Sequence, residues 1–338
     1  MVYYSPMENY TKPPVSITES ILKSVSEISE RVGRLSVSAN MDARPHLRRN
    51  NRIRSIHSSL AIEANSLSLD EVHAVLDGRA VVGPEKEIRE VQNAFRAYEE
   101  IGRLDPYSLD DLKRVHGLMT ETLVAESGRF RTGNEGVFDG SRVIFVAPPP
   151  QMVAGHMDNL FAWLRGTRES VHQLIASSVF HYEFVFIHPF ADGNGRMARL
   201  WQTALLAAWR PIFRYLPLES QIHRCQAGYY DAIAECHRAG ESTAFVEFIL
   251  ARIAETLEEA QKQTSLANAE FSEQVKRLLG VMDYDVPYTA TALLERLGLK
   301  SKETLRRHYL EPAIRERLVS LTQPDKPTSR NQRYVRIS

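Results

Sequence analysis

Residues 188–199 read HPFADGNGRMAR, and this stretch decides how the chain around it folds. An apolar helical segment ends near Ile187, because Pro189 disfavours a helical conformation in the residue before it. The Asp-Gly-Asn-Gly run supplies backbone freedom for a tight loop, and a second helix begins near Asn194. The apolar residues of that helix recur on one face: Met197, Leu200, Trp201, Ala204, Leu205 and Ala208. The stretch therefore predicts two helices joined by a glycine-rich loop.

The composition of this loop is that of a phosphate site. Backbone N–H groups at the start of a helix and the positive end of its dipole attract anions. Arg196 and Arg199 add guanidinium groups suited to phosphate oxygens. Asp192 would repel phosphates unless a cation such as Mg²⁺ lay between them. His188, whose ordinary pKa is near neutrality, suits a general base. A solvated loop explains each residue singly, but the set in this order favours phosphate chemistry.

Helical periodicity dominates the chain up to about Glu259. The predicted helices cover roughly residues 17–34, 46–64, 69–77, 86–102, 108–124, 151–165, 170–186, 194–209, 219–238 and 242–263. One segment departs from this pattern, because Val137–Val146 places an Asp-Gly turn between β-branched and aromatic residues. The sequence therefore predicts a mainly α-helical fold with one β-hairpin.

The composition of the whole chain limits its function further. Its 338 residues are 43% hydrophobic, and 42 Lys+Arg balance 42 Asp+Glu, so nonspecific nucleic-acid binding by the whole protein is not expected. No apolar run is long enough to cross a bilayer, and residues 1–10 lack the pattern of a secretory signal. We therefore expect a cytoplasmic protein without membrane contact. Cys225 and Cys236, about 16 Å apart along a helix, cannot share a zinc ion and are expected as reduced thiols.

The C-terminal part differs in charge and pattern from the rest. A polar stretch over residues 261–268 is interpreted as a linker, and we divide the chain into domains 1–263 and 264–338. Helix, turn, helix and terminal hairpin follow in the order of a winged helix-turn-helix. From Ser301 onward nine Lys/Arg face four Asp/Glu, a local charge of +5. Six of the nine lie on the predicted second helix, at Lys302, Arg306 and Arg307, or near the wing, at Lys326, Arg330 and Arg333. Residues 271–338 thus indicate either DNA binding or a solvated face of a protein-docking module.

The run from His188 to Arg199 resembles, without departure, the signature of the Fic (filamentation-induced-by-cAMP) family, His-Pro-Phe-x-Asp/Glu-Gly-Asn-Gly/Lys-Arg-x-x-Arg. The resemblance extends from about Ser55 to Ile249 and implies a Fic-type helical bundle with a hairpin flap. Members typically transfer AMP from ATP to a Ser, Thr or Tyr hydroxyl of a target protein. The resemblance thus implies a nucleotidyltransferase, a protein adenylyltransferase that uses ATP and Mg²⁺.

The family's roles carry over onto matching positions. By resemblance, His188 deprotonates the target hydroxyl, Phe190 anchors the loop in the core, and Asp192 holds Mg²⁺ between the α- and β-phosphates. The remaining motif residues bind phosphate: Gly193, Asn194 and Gly195 at the α- and β-phosphates, Arg196 at the β-phosphate and Arg199 at the γ-phosphate.

Two weaker correspondences concern the nucleotide and the target. Tyr229 and Tyr230 lie where similar proteins place a nucleotide-contacting tyrosine pair, and His237 lies where an Asn often contributes. Packing of both tyrosines in the core is the alternative. The hairpin resembles the family's flap, whose free edge pairs with a target peptide through its main chain. The flap residues are Val143, Ile144, Phe145 and Val146, and a simple cover over the core is the alternative.

A carboxylate continues the apolar stripe of the helix predicted over about 46–65. Glu63 follows Ile53, Ile56 and Leu60 at helical spacing, and an ionised group there needs a cation. A core salt bridge would satisfy that need. However, the segment from Ser59 to Asn65 resembles the family's inhibitory motif, Ser/Thr-x-x-x-Glu-Gly/Asn.

The inhibitory resemblance implies that Glu63 pairs with Arg199 and blocks the productive γ-phosphate position, Ser59 being the first residue of the motif. Ala64 stands where the family has Gly or Asn. Because alanine disfavours a positive φ, we expect the helix to run slightly further than in the family.

Other functions stay open on the sequence alone. The chain could be a DNA-binding regulator that uses the Fic core as a nucleotide-responsive switch. Glu63 could also position a water that removes AMP from a modified target, and some family members transfer UMP or phosphocholine. The sequence does not identify the target protein or the oligomeric state, a homodimer included.

Overall fold

The computed structural model describes the chain except for residues 1–11, 39–44, 140–141, 269–270, 284–285, 328 and 338. The chain forms two compact units. One comprises residues up to Arg34 together with Arg52–Leu257, and the other comprises Leu35–Asn51 together with Glu258–Ser338. The predicted domain limits at 263 and 264 stay a prediction.

Eleven of the described helices precede the C-terminal elements, which confirms the mainly helical prediction. They are α1 (Glu19–Ser38), α2 (Pro45–Ile62), α3 (Leu69–Leu76), α4 (Glu85–Glu99), α5 (Leu109–Met119), α6 (Pro150–Gly166), α7 (Gln173–Ile187), α8 (Asn194–Trp209), α9 (Leu218–Arg224), α10 (Gln226–Ala239) and α11 (Thr243–Asn268). Short 3₁₀ turns cover Glu100–Gly102 and Pro211–Tyr215. Both cysteines are free thiols. None of the helices in the described part of the chain is long and apolar enough to cross a membrane.

The linker interpretation of residues 261–268 is wrong, because α11 continues through Asn268. Polarity alone does not end a helix. Gln, Lys and Ala are good helix formers, and Lys262 pairs with Glu258 one turn earlier at 2.7 Å.

Helices α7 and α8 form the centre of the first unit. Nearly every residue of both helices is buried, polar residues included, so both are covered by protein on all sides. Phe161 of α6 meets Phe180 of α7 edge to face at 5.5 Å between ring centroids, and Trp201 of α8 at 6.3 Å. The glycine-rich loop between α7 and α8 is therefore anchored at both ends in the core.

Two strands form the predicted hairpin: β1 (Gly136–Asp139) and β2 (Arg142–Val146). They are antiparallel, with Gly136 opposite Val146 and an irregularity after Val137. Gly140 and Ser141 of the predicted Asp-Gly turn lie outside the described residues.

The end of α2 departs from the sequence expectation. Ala64 has a φ of 65°, and the helix ends at Ile62 instead of running further. The amide of Asn65 donates to the Leu60 carbonyl at 3.1 Å, and the amide of Ala64 donates to the Ala61 carbonyl at 3.0 Å. This pair of bonds is the Schellman motif, in which the residue after the helix takes a left-handed conformation. The hydrogen bonds and the packing of α2 outweigh the strain of an alanine there.

Replacement of Ala64 by glycine should remove that strain. We expect Ala64→Gly to raise the free energy of unfolding by roughly 0.5–1 kcal/mol, because the relief of the left-handed strain exceeds the added entropy of the unfolded chain. Chemical denaturation measures the change. The matched control is Ala61→Gly, the same change inside the helix, which should lower stability by about 1 kcal/mol. Equal destabilisation by both variants would contradict the argument.

The C-terminal unit, by which we mean the part of the second compact unit from Glu273 onward, has short helices around a three-stranded sheet. Its elements are α12 (Glu273–Val281), β3 (Pro287–Tyr288), α13 (Ala290–Leu297), α14 (Lys302–Leu305), a π turn (Arg306–Leu310), α15 (Glu311–Arg315), β4 (Val319–Leu321) and β5 (Tyr334–Arg336). The antiparallel strand order is β3-β5-β4, so the last strand lies between the other two. Serine or threonine side chains cap α12, α13 and α14.

Candidate active site

The loop between α7 and α8 turns at two left-handed residues. His188 ends α7 with a φ of 52°, and Gly193 precedes α8 with a φ of 81°. A Cβ at position 193 would lie 3.1 Å from Cγ2 of Thr120, so a side chain there would be crowded in addition to the strain of its positive φ. A histidine in this conformation is strained, and such strain persists only where the surroundings fix it.

The side chain of Asn194 closes this loop from within. Its Oδ1 accepts from the amide of Phe190 at 2.9 Å, and its Nδ2 donates to the Phe190 carbonyl at 2.7 Å. The Phe190 ring is fully buried, which agrees with its predicted place in the core. Because the Asn194 side chain is used inside the loop, its backbone N–H is the group that could face a phosphate.

His116 of α5 holds the loop from the other side, and the sequence reasoning missed it. Its ring stacks on Phe190 with the ring centroids 3.6 Å apart. Its Nδ1 accepts from the amide of Gly128 at 3.0 Å, so Nε2 carries the proton and donates to the Asp192 carbonyl, also at 3.0 Å. Burial lowers the pKa of His116 to about 4, and the ring is neutral at pH 7. The sequence did carry one signal for this role, because His116 lies on the apolar stripe of α5.

The buried neutral His116 makes the stability depend on pH. Its pKa is lower in the folded protein than the ordinary 6.5, so the unfolded chain takes up the proton first. Its contribution is complete above pH 6.5 and is lost as the pH falls from 6.5 to about 4, by up to about 3 kcal/mol. Denaturation at several pH values should show a shallower decline for His116→Gln than for the parent. The matched control is the same substitution at the exposed His308, whose side chain has no part in this loop. Identical slopes for all three proteins would refute this role.

The second arginine of the loop, Arg199, is fully buried and bound to α2. Its Nη2 lies 2.8 Å from Oε1 of Glu63 and donates to the Ser59 carbonyl at 2.9 Å, while its Nε donates to Oγ of Ser59 at 3.0 Å. Burial alone would lower the pKa of Arg199, but the charge of Glu63 raises it above its ordinary value. The structure thus places both residues of the inhibitory resemblance, Ser59 and Glu63, on this guanidinium.

Glu63 also lies over the start of α8. A Cβ added at Gly195 would overlap Oε1 of Glu63, so the carboxylate packs against the glycine backbone. The first N–H groups of a helix have no intrahelical partner and attract anions. The Glu63 carboxylate therefore occupies the region in which the sequence predicts phosphates.

The first arginine, Arg196, is buried between two carboxylates. Its Nη2 donates to Oδ1 of Asp192 at 2.9 Å, and its Nη1 lies 3.5 Å from Oε1 of Glu90 on α4. The other oxygen of Glu90 accepts from Asn65 at 2.8 Å. Glu90 was missed by the sequence reasoning, because nothing in its local pattern separates it from other surface glutamates of α4.

Several buried guanidinium nitrogens in this site lack a hydrogen-bond partner among the described residues. They are Nε and Nη1 of Arg196 and Nη1 of Arg199. Buried donors are normally satisfied, and each unmade bond is costly. Orphaned donors from two neighbouring arginines at a helix N-terminus fit the oxygens of a phosphate chain.

Asp192 is the loop's candidate metal ligand. Burial would raise its pKa, but the charge of Arg196 outweighs burial and holds the pKa below the ordinary value, so the carboxylate is ionised. Its bonds to Arg196 and to the Gly193 amide both use Oδ1. No group of three or more His, Cys, Asp or Glu side chains in the described ranges could hold a metal ion. A magnesium ion here would therefore have one protein carboxylate and the oxygens of the nucleotide and water, a ligand set that Mg²⁺ accepts.

The His188 side chain is half-buried beside this anion site. Burial lowers its pKa, so the imidazole is neutral at pH 7. Its Nδ1 lies 3.3 Å from the Val185 carbonyl, a contact that places the ring proton on Nδ1. Nε2 then carries the free electron pair and can accept a proton.

The three predicted nucleotide contacts have different surroundings. Tyr229 is buried, and its hydroxyl bonds to Nε2 of His181 at 3.0 Å. Tyr230 is 47% exposed, and its hydroxyl donates to the Ile62 carbonyl at the end of α2 at 3.5 Å. His237 is half-buried and lies 5.7 Å from the ring of Phe186. Tyr229 therefore packs in the core, and its exposed neighbour is the better placed of the two to meet a ligand.

Comparison with known proteins identifies the family of this chain. Residues 106–206 match the Fic/DOC family, and residues 273–338 match the C-terminal domain of Fic-like proteins, filamentation induced by cAMP. A crystal structure of a Fic family protein from Desulfovibrio desulfuricans G20 is 42% identical, with a TM-score of 0.72. The match covers 97% of this chain and 98% of that one. The chain belongs to the Fic/DOC family, which confirms the resemblance.

Curated relatives are more distant. A protein adenylyltransferase, fic-1 of Caenorhabditis elegans, is 28% identical over 255 residues, which are 71% of this chain and 46% of the relative. A protein adenylyltransferase Fic of Nematostella vectensis is 28% identical over 207 residues, which are 57% of this chain and 45% of the relative. The chain thus spans about half the length of the curated relatives it matches.

Proposed function

We propose that this chain is a protein adenylyltransferase that transfers AMP from ATP to a Ser, Thr or Tyr hydroxyl of a target protein, and that Glu63 inhibits it. The pairing of the buried Arg199 guanidinium with Glu63 over the start of α8 carries this proposal. The names of the curated relatives support the reaction class. A cytoplasmic location stays a prediction.

The chemistry follows from the groups in the loop. The N–H groups at the start of α8 and the free donors of Arg196 hold the phosphate chain. The Nε2 atom of His188 accepts the proton of the target hydroxyl. The hydroxyl oxygen bonds to the α-phosphorus, the bond from that phosphorus to the bridging oxygen breaks, and pyrophosphate leaves. Magnesium bound at Asp192 would offset the charge that develops on the leaving phosphates.

Inhibition follows from the same geometry. Arg199 is expected at the γ-phosphate, but its Nη2 is held by Glu63. A triphosphate that enters the site meets a carboxylate where its own oxygens should lie. ATP then either is excluded or binds with its α-phosphate turned away from in-line attack.

Removal of the inhibitory carboxylate should activate the enzyme. We expect Glu63→Gly to increase AMP transfer by at least tenfold, because productive geometry is worth several kcal/mol. Labelled ATP with Mg²⁺ measures transfer onto the protein itself. The double variant Glu63→Gly with Arg199→Ala should lose the gain, since the freed arginine delivers it.

A matched pair of conservative changes separates charge from shape. Glu63→Gln should activate AMP transfer. Glu99→Gln should not, although it also removes a carboxylate that pairs with α2: Oε1 of Glu99 lies 3.7 Å from Nη1 of Arg52. The proposal of inhibition fails if Glu63→Gly folds, binds ATP and transfers AMP no faster than the parent. A preparation that instead strips AMP from a modified protein would assign Glu63 to the removal reaction.

Loss of the base should slow AMP transfer strongly without loss of ATP binding. In the Glu63→Gly background, His188→Ala should slow AMP transfer by about 10²–10⁴-fold, because no other group takes the hydroxyl proton. The ATP affinity of this variant, measured by calorimetry, should stay within a few fold of the parent. Arg196→Ala should show the opposite pattern, with weakened ATP affinity and a smaller effect on the transfer rate at saturating ATP. Rapid transfer by the His188→Ala protein would remove His188 from the mechanism.

For the C-terminal unit we propose a winged helix. The order of its helices and the position of β5 between β3 and β4 support this assignment. Two of its basic residues are engaged locally, because Arg306 lies 3.4 Å from Glu311 and Arg307 pairs with Glu303. These ion pairs reduce the positive charge available to a nucleic acid, and DNA binding stays a prediction.

A further inference from the structure

Arg131 is a buried cation that the sequence reasoning did not single out. It lies between α5 and β1 and is 2% exposed. Its guanidinium donates to four backbone carbonyls: His188 at 2.6 Å and Gly133 at 2.7 Å, then Pro148 at 2.5 Å and Ile187 at 3.4 Å. The amide of Arg131 also donates to the Pro189 carbonyl at 2.9 Å. One side chain therefore ties together segments that are far apart in the sequence.

Two of these carbonyls belong to the ends of the hairpin. Gly133 precedes β1 and Pro148 follows β2, and the amide of Ala147 donates to the Glu135 carbonyl across the same base at 3.0 Å. The guanidinium thus bridges the entrance and the exit of the hairpin. A shift of the hairpin base cannot occur without the loss of these bonds.

The other two carbonyls end α7 and carry His188. The last carbonyls of a helix lack intrahelical partners and form the negative end of the helix dipole. A buried cation at this end is favourable although its contacts are carbonyls and not carboxylates. The bond to the His188 carbonyl also acts on the residue whose backbone has a φ of 52°.

We propose that Arg131 is a positioning residue that fixes the His188 imidazole relative to the hairpin. This inference rests on the proposed function, in which His188 is the base. Arginine is required because its planar fork presents five donors in fixed directions, which an ammonium group cannot reproduce. A target segment paired with the free edge of the hairpin would then present its hydroxyl at a fixed distance from Nε2 of His188.

The first measurement needs no activity. In protein with ¹⁵N-labelled histidine, the His188 imidazole is assigned by comparison with His188→Gln and titrated by NMR. Three charged groups act on this ring: Glu135, Arg131 and Glu63. Because Arg131 lowers the pKa of His188, Arg131→Gln should raise it. Arg131→Lys keeps the charge and should change mainly the chemical shifts, since the ring moves.

The second measurement uses the Glu63→Gly background. Arg131→Lys should lower kcat for self-modification by about 10²-fold, as expected for a displacement of about 1 Å, and leave the KM for ATP within twofold. Arg129→Gln is the matched control, because Arg129 is exposed and lies two residues away. It should leave the rate and the His188 titration unchanged.

The outcomes separate this inference from the proposed function. If Glu63→Gly itself is inactive, the proposed function fails. The NMR titration of His188 then remains the test of whether Arg131 positions that ring. If Arg131→Lys and Arg131→Gln fold and both keep the parental His188 spectrum, the inference is overturned. It is also overturned if the two variants only lower the melting temperature at an unchanged kcat, or if neither folds at 25 °C, because Arg131 would then serve stability alone.

Discussion

The burial of the Arg199 cation is the constraint on which the site depends. A guanidinium without water must be neutralised and hydrogen-bonded by its surroundings. Ser59 of α2 and Glu63, the residue after that helix, supply these partners, yet Nη1 is left without one among the described residues. The cation can therefore be satisfied in two ways, by the carboxylate of α2 or by an incoming anion. The two ways exclude each other, because Glu63 packs on the glycine backbone at the start of α8.

The left-handed residues place the groups that compete for this cation. Ala64 ends α2 so that Glu63 is the last residue before the turn, and His188 ends α7 before the loop. Neither residue is a glycine, so both conformations are imposed by neighbouring hydrogen bonds and packing. Arg131 is one source of that constraint at His188, and the capping bonds of Leu60 and Ala61 are the source at Ala64. Strain is thus stored on both sides of the anion site.

Sequence periodicity located most of the helices, because apolar stripes repeat over many residues, and the dense motif at 188–199 predicted the loop. The single helix predicted over 219–238 was wrong, because the chain forms two helices, α9 and α10, that are divided at Cys225. Sequence reasoning failed where a single backbone angle decides the end of a helix, as at Ala64, whose φ depends on tertiary packing. The prediction of a linker failed at residues 261–268, because Gln, Lys and Ala are good helix formers and their polarity does not end a helix. His116 and Glu90 were missed because their partners, Asp192 and Arg196, are distant in the sequence. Such contacts follow from the fold and leave little local pattern.

The charges of the site indicate which group yields to a nucleotide. Among the described residues, the two guanidinium groups of Arg196 and Arg199 already face three carboxylates, so a triphosphate would add negative charge to a site where carboxylates outnumber guanidinium groups. A cation can offset part of that charge, but one carboxylate must also leave. The Asp192 side chain is 44% exposed, but as the candidate ligand of that cation it is expected to stay. The Glu90 side chain is 12% exposed and bound to Asn65. The Glu63 side chain is 38% exposed, lies just beyond the last residue of α2 and is not needed to hold the cation. Under the proposed function, the carboxylate that blocks the site is therefore also the one expected to yield to a nucleotide.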